Sequence, residues 1–564
     1  MYYRISKFLA IASFSVFAVI GSSSLTEDKQ AQSTSSEENK PPNIVLIIAD
    51  DMGYSDTSMY GGEIDTPNIE ALAKAGMLFT RFYTAATCSP TRSMVLSGVD
   101  HHQSGLGNMA EFTASNQKGQ PGYEGHLNDR VVTIATLLQD AGYHTYMAGK
   151  WHLGKEKGLL PSDRGFEKTF ALLDGAADHY SKRGYNPARP VASYSSNGEA
   201  VELPDNFYST DYYTDKLIEF VKGDRDSNKP FFMYATYTSP HDPLQAPEEY
   251  IQKYLGKYDR GWDELRKERL QRLKELGLVS EDLELPPRWE MVRAWDSLTP
   301  EQQKYESKTM AIYAAMIDNF DANVGRLIDY LKEIGEYENT IFVFFSDNGA
   351  EGANRSQLER WKVWLEEDGI DNSYENIGLP NSFATLDKGW TQVSSTPLLW
   401  FKGKVSEGGI RVPAVFSYSG AIEPGTRSEA FGQVLDLMPT LLDYAGVEYP
   451  GTSYEGKEIY PMGGRSLRPM LEGKSDRVYS DSDPVGFELF GYGNSALFQG
   501  DWKIVKIIPP WGDGQWKLFN LAQDPRELND LSPYYPQKLE QMISLYEEYE
   551  KEKGVVPTTE VLYK

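Results

Sequence analysis

Unbroken apolar runs, each closed by polar or acidic side chains, recur along the chain. They fall at 43–49 (NIVLIIA, then Asp50-Asp51), 231–237 (FFMYATY, then TSPHDP) and 340–345 (TIFVFF, then SDNG). A continuous run in place of alternation predicts a strand buried on both faces, as in a parallel sheet. Further strands are predicted at 145–148 and 412–418. Helical spacing fills the intervals: 67–76 stopped by Gly76, 133–141 stopped by Gly142 and 431–445 stopped by Gly446. A stripe of Met310, Tyr313, Ile317, Phe320, Val324, Leu327, Ile328 and Leu331 predicts a helix that covers the sheet and ends at Gly335. The charged stretch 253–288 also has helical spacing and reads as a solvated surface helix. The Gly- and Pro-rich stretch 451–473 reads as a linker over the surface. From about Arg477 the pattern changes to short strands at 495–499, 502–508 and 516–521, closed by a helix at 536–553. The whole predicts an α/β fold: a large mixed, mostly parallel sheet flanked by helices over 41–450, then a smaller α+β unit on an antiparallel sheet over 451–564.

The start of the chain has a different pattern. Arg4 and Lys7 precede an apolar run at 8–20 that ends in Gly21-Ser22-Ser23-Ser24. This is the form of a secretory signal over 1–24, and the run is short for a membrane span. Residues 25–40 are polar and read as a disordered linker. The expected product is exported, periplasmic or secreted, and not membrane-embedded after signal removal. The net charge of −26 argues against a nucleic-acid partner. An anionic substrate would need cations gathered locally in a pocket.

Candidate chemistry sits where the strands end, which in open α/β sheets is where ligands bind. Asp50, Asp51, Asp347 and Asn348 are hard oxygen donors, a set that selects calcium or magnesium over zinc. None of the seven histidines lies in an HExxH arrangement. In GKWHLG, Lys150 and His152 are two apart, and period two in an extended segment predicts that both project to one side. His241 follows the 231–237 run. Lys402 and Lys404 flank a glycine in a tight loop, and either can reach a pocket. The single cysteine, Cys88, has no disulfide partner. Its context, CSPTR and then an apolar run to Gly98, reads as an exposed turn feeding a helix N-terminus, with Arg92 four residues on.

C-S-P-T-R-S-x-x-L-S-G resembles the signature of the sulfatases, enzymes of alkaline-phosphatase-like fold. NIVLIIADD, GKWHLG, SPHDP, SDNGAEG, KGKVSEGGIRVP and the C-terminal QGDWK and DPRE segments extend the resemblance over nearly the whole mature chain. It is strongest to bacterial calcium-dependent arylsulfatases, with which the chain shares the run through Asp100-His101-His102. The resemblance implies that a sulfatase-maturing, formylglycine-generating enzyme converts Cys88 to formylglycine, whose hydrate attacks sulfate monoesters. It implies one calcium held by Asp50, Asp51, Asp347 and Asn348, and hydrate stabilisation by Arg92 and Lys150. It further implies that His152 would accept a proton, that His241 and Lys402 would bind sulfate, and that His241 would protonate the leaving oxygen. The resemblance prefers Lys402 to Lys404 because Lys402 lies six residues before Gly408, as the family's lysine does. Ser97 departs conservatively from the threonine many members carry. The substrate the resemblance implies is a small sulfate ester or a sulfated oligosaccharide. Two other readings stay open: a phosphatase or phosphonate hydrolase of the same superfamily, and a dead glycan-binding protein suggested by 36 Tyr and 11 Trp.

Overall fold

The computed structural model describes residues 40–489 and 493–560; the expected signal and linker therefore lie outside the described residues, apart from Lys40. The apolar runs form the centre of a mixed, 11-stranded sheet. Thr340–Ser346, Asn43–Ala49, Phe231–Thr236, His144–Lys150 and Lys168–Leu172 lie side by side and parallel. Arg411–Ser417 runs antiparallel between Thr340–Ser346 and Met77–Tyr83. From Ile44 to Ala49 the run is apolar at every position because both faces are covered. Val45, Ile47 and Ala49 enter one core, and Ile44, Leu46 and Ile48 enter the other.

The first core is closed by the helices Pro67–Lys74, Ser209–Asp224 and Pro300–Glu333, and the second by Cys88–Ser97, Ile134–Asp140 and Leu437–Ala445. Local chemistry sets the helix ends. Thr133 caps the Ile134–Asp140 helix through Thr136 N–H, and Thr299 and Gln302 form a reciprocal capping box at the start of the 34-residue Pro300–Glu333 helix. That helix is buried well beyond its predicted stripe, because other helices cover its outer side.

Several expectations need correction. The predicted helix at 431–445 begins later: Gly432–Gln433 pairs with Met77–Tyr83, and the α-helix proper is Leu437–Ala445. The 451–473 stretch is not a surface linker. Ile459, Leu467, Met470 and Leu471 enter the second core, and its Gly and Pro residues punctuate a small hairpin and the short helix Arg468–Leu471. The charged stretch 253–288 is not simply solvated. Its main helix, Gly261–Glu275, buries Trp262, Leu265, Leu270 and Leu273. It also buries Arg269, whose guanidinium pairs with Asp56 at 2.7 Å and Glu63 at 2.9 Å.

The C-terminal sheet has four antiparallel strands, Pro484–Leu489, Asn494–Gln499, Trp502–Lys506 and Trp516–Asn520. The first of these was not predicted. Leu497, Ile504 and Leu518 pack on Met542 and Tyr546 of the helix Pro536–Lys553. On the opposite face Phe487, Phe498 and Phe519 meet Tyr83, Ala86, Val405 and Ile410, so the small sheet backs the loops that hold Cys88 and Lys402. Among the described residues, no helix is long and apolar enough to cross a membrane.

Candidate active site

Strand register assembles the site. Ala49 pairs with Ser346 at the ends of two adjacent parallel strands, so the residues that follow, Asp50-Asp51 and Asp347-Asn348, leave the sheet together. Asp51 has a left-handed backbone (φ 69°), which turns its carboxylate away from the strand direction. On the far side of Asn43–Ala49, the Phe231–Thr236 strand delivers His241 through a short turn, and His144–Lys150 ends with the Lys150 ammonium beneath Asp50. Cys88 is the first residue of its ten-residue helix. It is 2% exposed and the rest of the helix is buried, so the predicted exposed turn is a buried one. The helix N-terminus there favours negative charge.

Nearly every charge in the site is buried and paired. Arg92 directs Nε (3.0 Å) and Nη2 (2.8 Å) at Asp347 Oδ2 and donates from Nη1 to the Lys150 carbonyl at 2.9 Å. Lys150 Nζ sits 2.7 and 2.9 Å from the two Asp50 oxygens. Lys402 Nζ lies 2.7 Å from Asp51 and 3.5 Å from Glu351. His241 Nε2 lies 3.5 Å from Asp51, while its Nδ1 is held by the Asp242 carbonyl at 2.6 Å. Burial pushes the Asp50 carboxyl up, but Lys150, His241 and Arg92 outweigh it and hold it below the ordinary range. Burial and the neighbouring Asp50 push Asp347 up to about 6 in spite of Arg92 and Lys150. Burial alone would depress both Lys402 and His241; Asp51 and Asp50, joined by Glu351 at Lys402 and by Asp242 at His241, together more than reverse this.

A metal fits this set. Asp50 and Asp347 share Arg92, the Asp51 N–H donates to Asp347 Oδ1 at 3.3 Å, and the Asn348 Oδ1 is buried with no hydrogen-bond partner among the described residues, while its Nδ2 donates to Asp51 at 2.6 Å. Ligand atoms of Asp50, Asp51, Cys88 and His241 also lie within 4.8 Å of one another. The orphaned Asn348 oxygen and the strained ionisation of Asp347 favour the oxygen set, Asp50, Asp51, Asp347 and Asn348.

A cavity of about 460 Å³ opens onto Cys88, His152, His241 and Lys402. Phe112, Tyr185, Leu358 and Trp361 supply apolar walls, with Arg189, Arg355 and Arg360 among them. Lys404 does not reach this site. It packs over the rings of Phe401 (5.0 Å) and Trp511 (4.5 Å), and burial pushes its ammonium down to about 7. The period-two argument for Lys150 and His152 also fails. The strand ends at Lys150, His152 is left-handed (φ 55°), and its Nε2 faces Glu111 at 3.3 Å while Lys150 turns under Asp50. Glu351, Glu111 and Asp242 were not assigned from sequence. Glu351 and Asp242 stood inside motifs already singled out, whereas Glu111 had no local signal.

The Sulfatase family model matches residues 42–447. The chain belongs to the sulfatase family. A second family model, N-sulphoglucosamine sulphohydrolase, C-terminal, matches residues 399–552 of this sulfatase. An arylsulfatase of Klebsiella aerogenes is 41% identical over 449 residues, covering 78% of this chain and 93% of that one. An uncharacterized sulfatase of Schizosaccharomyces pombe is 44% identical over 534 residues, covering 92% and 95%. Among solved structures, that of Ps i-CgsB superimposes with a TM-score of 0.64 at 25% identity, covering 90% of this chain and 93% of that one. The enzyme is thus a sulfuric ester hydrolase on the alkaline-phosphatase-like fold.

Proposed function

We propose that this sulfatase is of the arylsulfatase type, cleaving sulfate monoesters to a phenol or alcohol and inorganic sulfate with a formylglycine made from Cys88 and one bound calcium. The observation that carries the reading is the single cavity in which Cys88 meets His152, His241 and Lys402 beside apolar walls. Burial pushes the Cys88 thiol up to about 12 against the pull of Lys150 and Lys402. A thiol held neutral in this way is a poor nucleophile as it stands, which favours its conversion. Formylglycine would supply, as its hydrate, a hydroxyl nucleophile in its place. A divalent cation held by Asp50, Asp51, Asp347 and Asn348 would neutralise developing charge at the nucleophile and the sulfate oxygens, and the all-oxygen donor set favours calcium.

The chain's own residues then divide the work. Arg92 and Lys150 anchor the acidic cluster at the base of residue 88. Asp347, with its raised carboxyl, is suited to polarise a hydroxyl there. Lys402 and His241 face the position of the sulfate group. The two histidines are shifted in opposite directions: His241 upward, through Asp51, and His152 downward, chiefly by burial. Opposed shifts suit opposed roles, with His241 protonating the leaving oxygen and His152 accepting a proton. The apolar walls suit an aryl leaving group, and the arginines suit a sulfated oligosaccharide. The patterning of residues 1–24 supports export to the periplasm or outside the cell, and the CSPTR context supports recognition of the chain by a formylglycine-generating enzyme.

The deciding experiment is the peptide mass over residue 88 in protein from a modifying host, paired with aryl sulfate hydrolysis. Expected are a loss of about 18 Da at residue 88 and hydrolysis abolished in Cys88→Ala. A wholly unmodified thiol in protein that hydrolyses aryl sulfates at full rate would falsify the formylglycine reading. Preference for phosphate esters would replace the sulfate-ester assignment of the pocket.

A further inference from the structure

Glu111 stands on the short turn Ala110–Phe112 in the wall of the cavity that holds Cys88. Its carboxylate has two side-chain partners. Oε2 lies 3.3 Å from His152 Nε2, and Oε1 accepts a hydrogen bond from Arg189 Nη1 at 2.7 Å. The His152 imidazole, which lines the same cavity, has little freedom. Its backbone is left-handed, and a Cβ on Gly175 would lie 2.6 Å from its Cε1, so the ring occupies space that only glycine leaves open. Its Nδ1 is buried with no hydrogen-bond partner among the described residues.

These contacts fix a tautomer. An ionised carboxylate only accepts, and a neutral imidazole carries one N–H. Glu111 therefore places that N–H on Nε2 and leaves the lone pair on Nδ1, the nitrogen with nothing else to bind. Glu111 is itself kept ionised. Burial would raise its carboxyl, but His152 and Arg189 more than offset this and hold it below the usual glutamate range.

We propose that Glu111 is a positioning residue for His152: it holds the proton on Nε2, presents Nδ1 as the proton acceptor, and is oriented by Arg189 at the cavity mouth. The inference rests on the reading of His152 as the base. The charged groups around this imidazole are Glu111, Lys150 and Arg92, with Arg189 behind Glu111 and Asp174 beside Arg189 at 3.9 Å. Burial, Lys150 and Arg92 push the imidazole down, and Glu111 works against them. Loss of the Glu111 charge therefore lowers the basicity of His152 further.

The test uses matured enzyme, with the modification at residue 88 verified by mass in every variant. Steady-state pH profiles on an aryl sulfate are compared for the wild type, Glu111→Gln, Glu111→Ala and His152→Asn. Glutamine keeps an acceptor near Nε2 but removes the charge. Its kcat is expected to fall about tenfold with KM changed less than about threefold, and the acid limb of kcat is expected to move down by about half a pH unit or more. Alanine is expected to lose more than glutamine, and melting temperatures to stay close to wild type. An acid limb that stays in place in both Glu111 variants, with His152→Asn inactive, overturns the role of Glu111. Equal losses in the two Glu111 variants that follow lowered melting temperatures overturn it as well. Full activity in His152→Asn instead overturns the reading of His152 as the base.

Discussion

Around Cys88 the charged side chains are buried, and each is balanced by another of opposite sign. Lys402 shows the balance: its ammonium is nearly buried, yet Asp51 and Glu351 keep it charged. The carboxylates are the less comfortable partners, since Asp347 is pushed up to about 6 and the Asn348 oxygen has no donor among the described residues. A divalent cation would relieve both. Chelation is therefore expected to lower the melting temperature, and calcium to restore it more fully than magnesium, because four protein oxygens without fixed octahedral geometry suit the larger ion. At 100 times its Kd, a ligand that binds only the folded state stabilises it by about 2.7 kcal/mol. Calorimetry with and without chelator measures this; an unchanged melting temperature at full calcium depletion would remove the metal from the site. Asp50, Asp51, Asp347, Asn348 and His241 were legible in sequence because each follows an apolar run, where sheet topology puts ligands. Glu111 was not, since its role comes from a contact with His152 across 41 residues and from a turn without periodicity.

Among the elements, the Gly261–Glu275 helix departs furthest from its pattern. Charge at helical spacing usually marks a solvated face, and Glu264, Lys267 and Glu275 of this helix are exposed. Arg269 is not: it is fully buried, with Nη1 on Asp56 and Nε on Glu63. Asp56 in turn accepts from Tyr313 at 2.7 Å and from Gly53 N–H at 2.8 Å, just beyond the Asp50-Asp51 turn. A sequence pattern counts charges on a face but does not show which acids wait opposite it. Arg269→Met strands two buried carboxylates, so it is expected to cost about 3–5 kcal/mol in chemical denaturation. The folded fraction should keep its kcat, because Asp56 acts on the turn and not on the cavity. A cost under about 1 kcal/mol would show that the pairs are solvated after all. The linker reading of 451–473 failed for a related reason: Gly and Pro there serve turns between short elements, and Leu467, Met470 and Leu471 supply the anchoring that a tether lacks.

Across the whole molecule, the small C-terminal sheet is joined to the large one by buried charge as well as by its aromatic face. Lys503 bridges Glu407 and Glu527 at 2.8 Å each, fastening the loop that follows Lys402. His102 lies between Asp100 (2.8 Å) and Glu488 (3.0 Å), and Tyr549 of the last helix donates to Asp100 at 3.0 Å. With both ring nitrogens against carboxylates, His102 is held as the imidazolium. Burial alone would lower it, but Asp100 and Glu488 raise it to about 9. Its neighbour His101 is pushed down to about 3, first by burial and then by the His102 charge. The signs give opposite limbs. The His102 contribution is fully present below its unfolded value near 6.5 and is lost as pH rises through about 9. His101 stays neutral in the fold while the unfolded chain binds a proton below about 6.5, so stability also falls as pH drops through that value. Stability should thus peak near neutrality, with an alkaline loss of about 3 kcal/mol from His102. Denaturant titrations across that range in wild type and His102→Gln measure it. The variant should be less stable at neutral pH but lose little more between about pH 6.5 and 9. A variant that keeps the full alkaline slope would assign that slope to other groups and leave His102 a neutral strut between the two sheets.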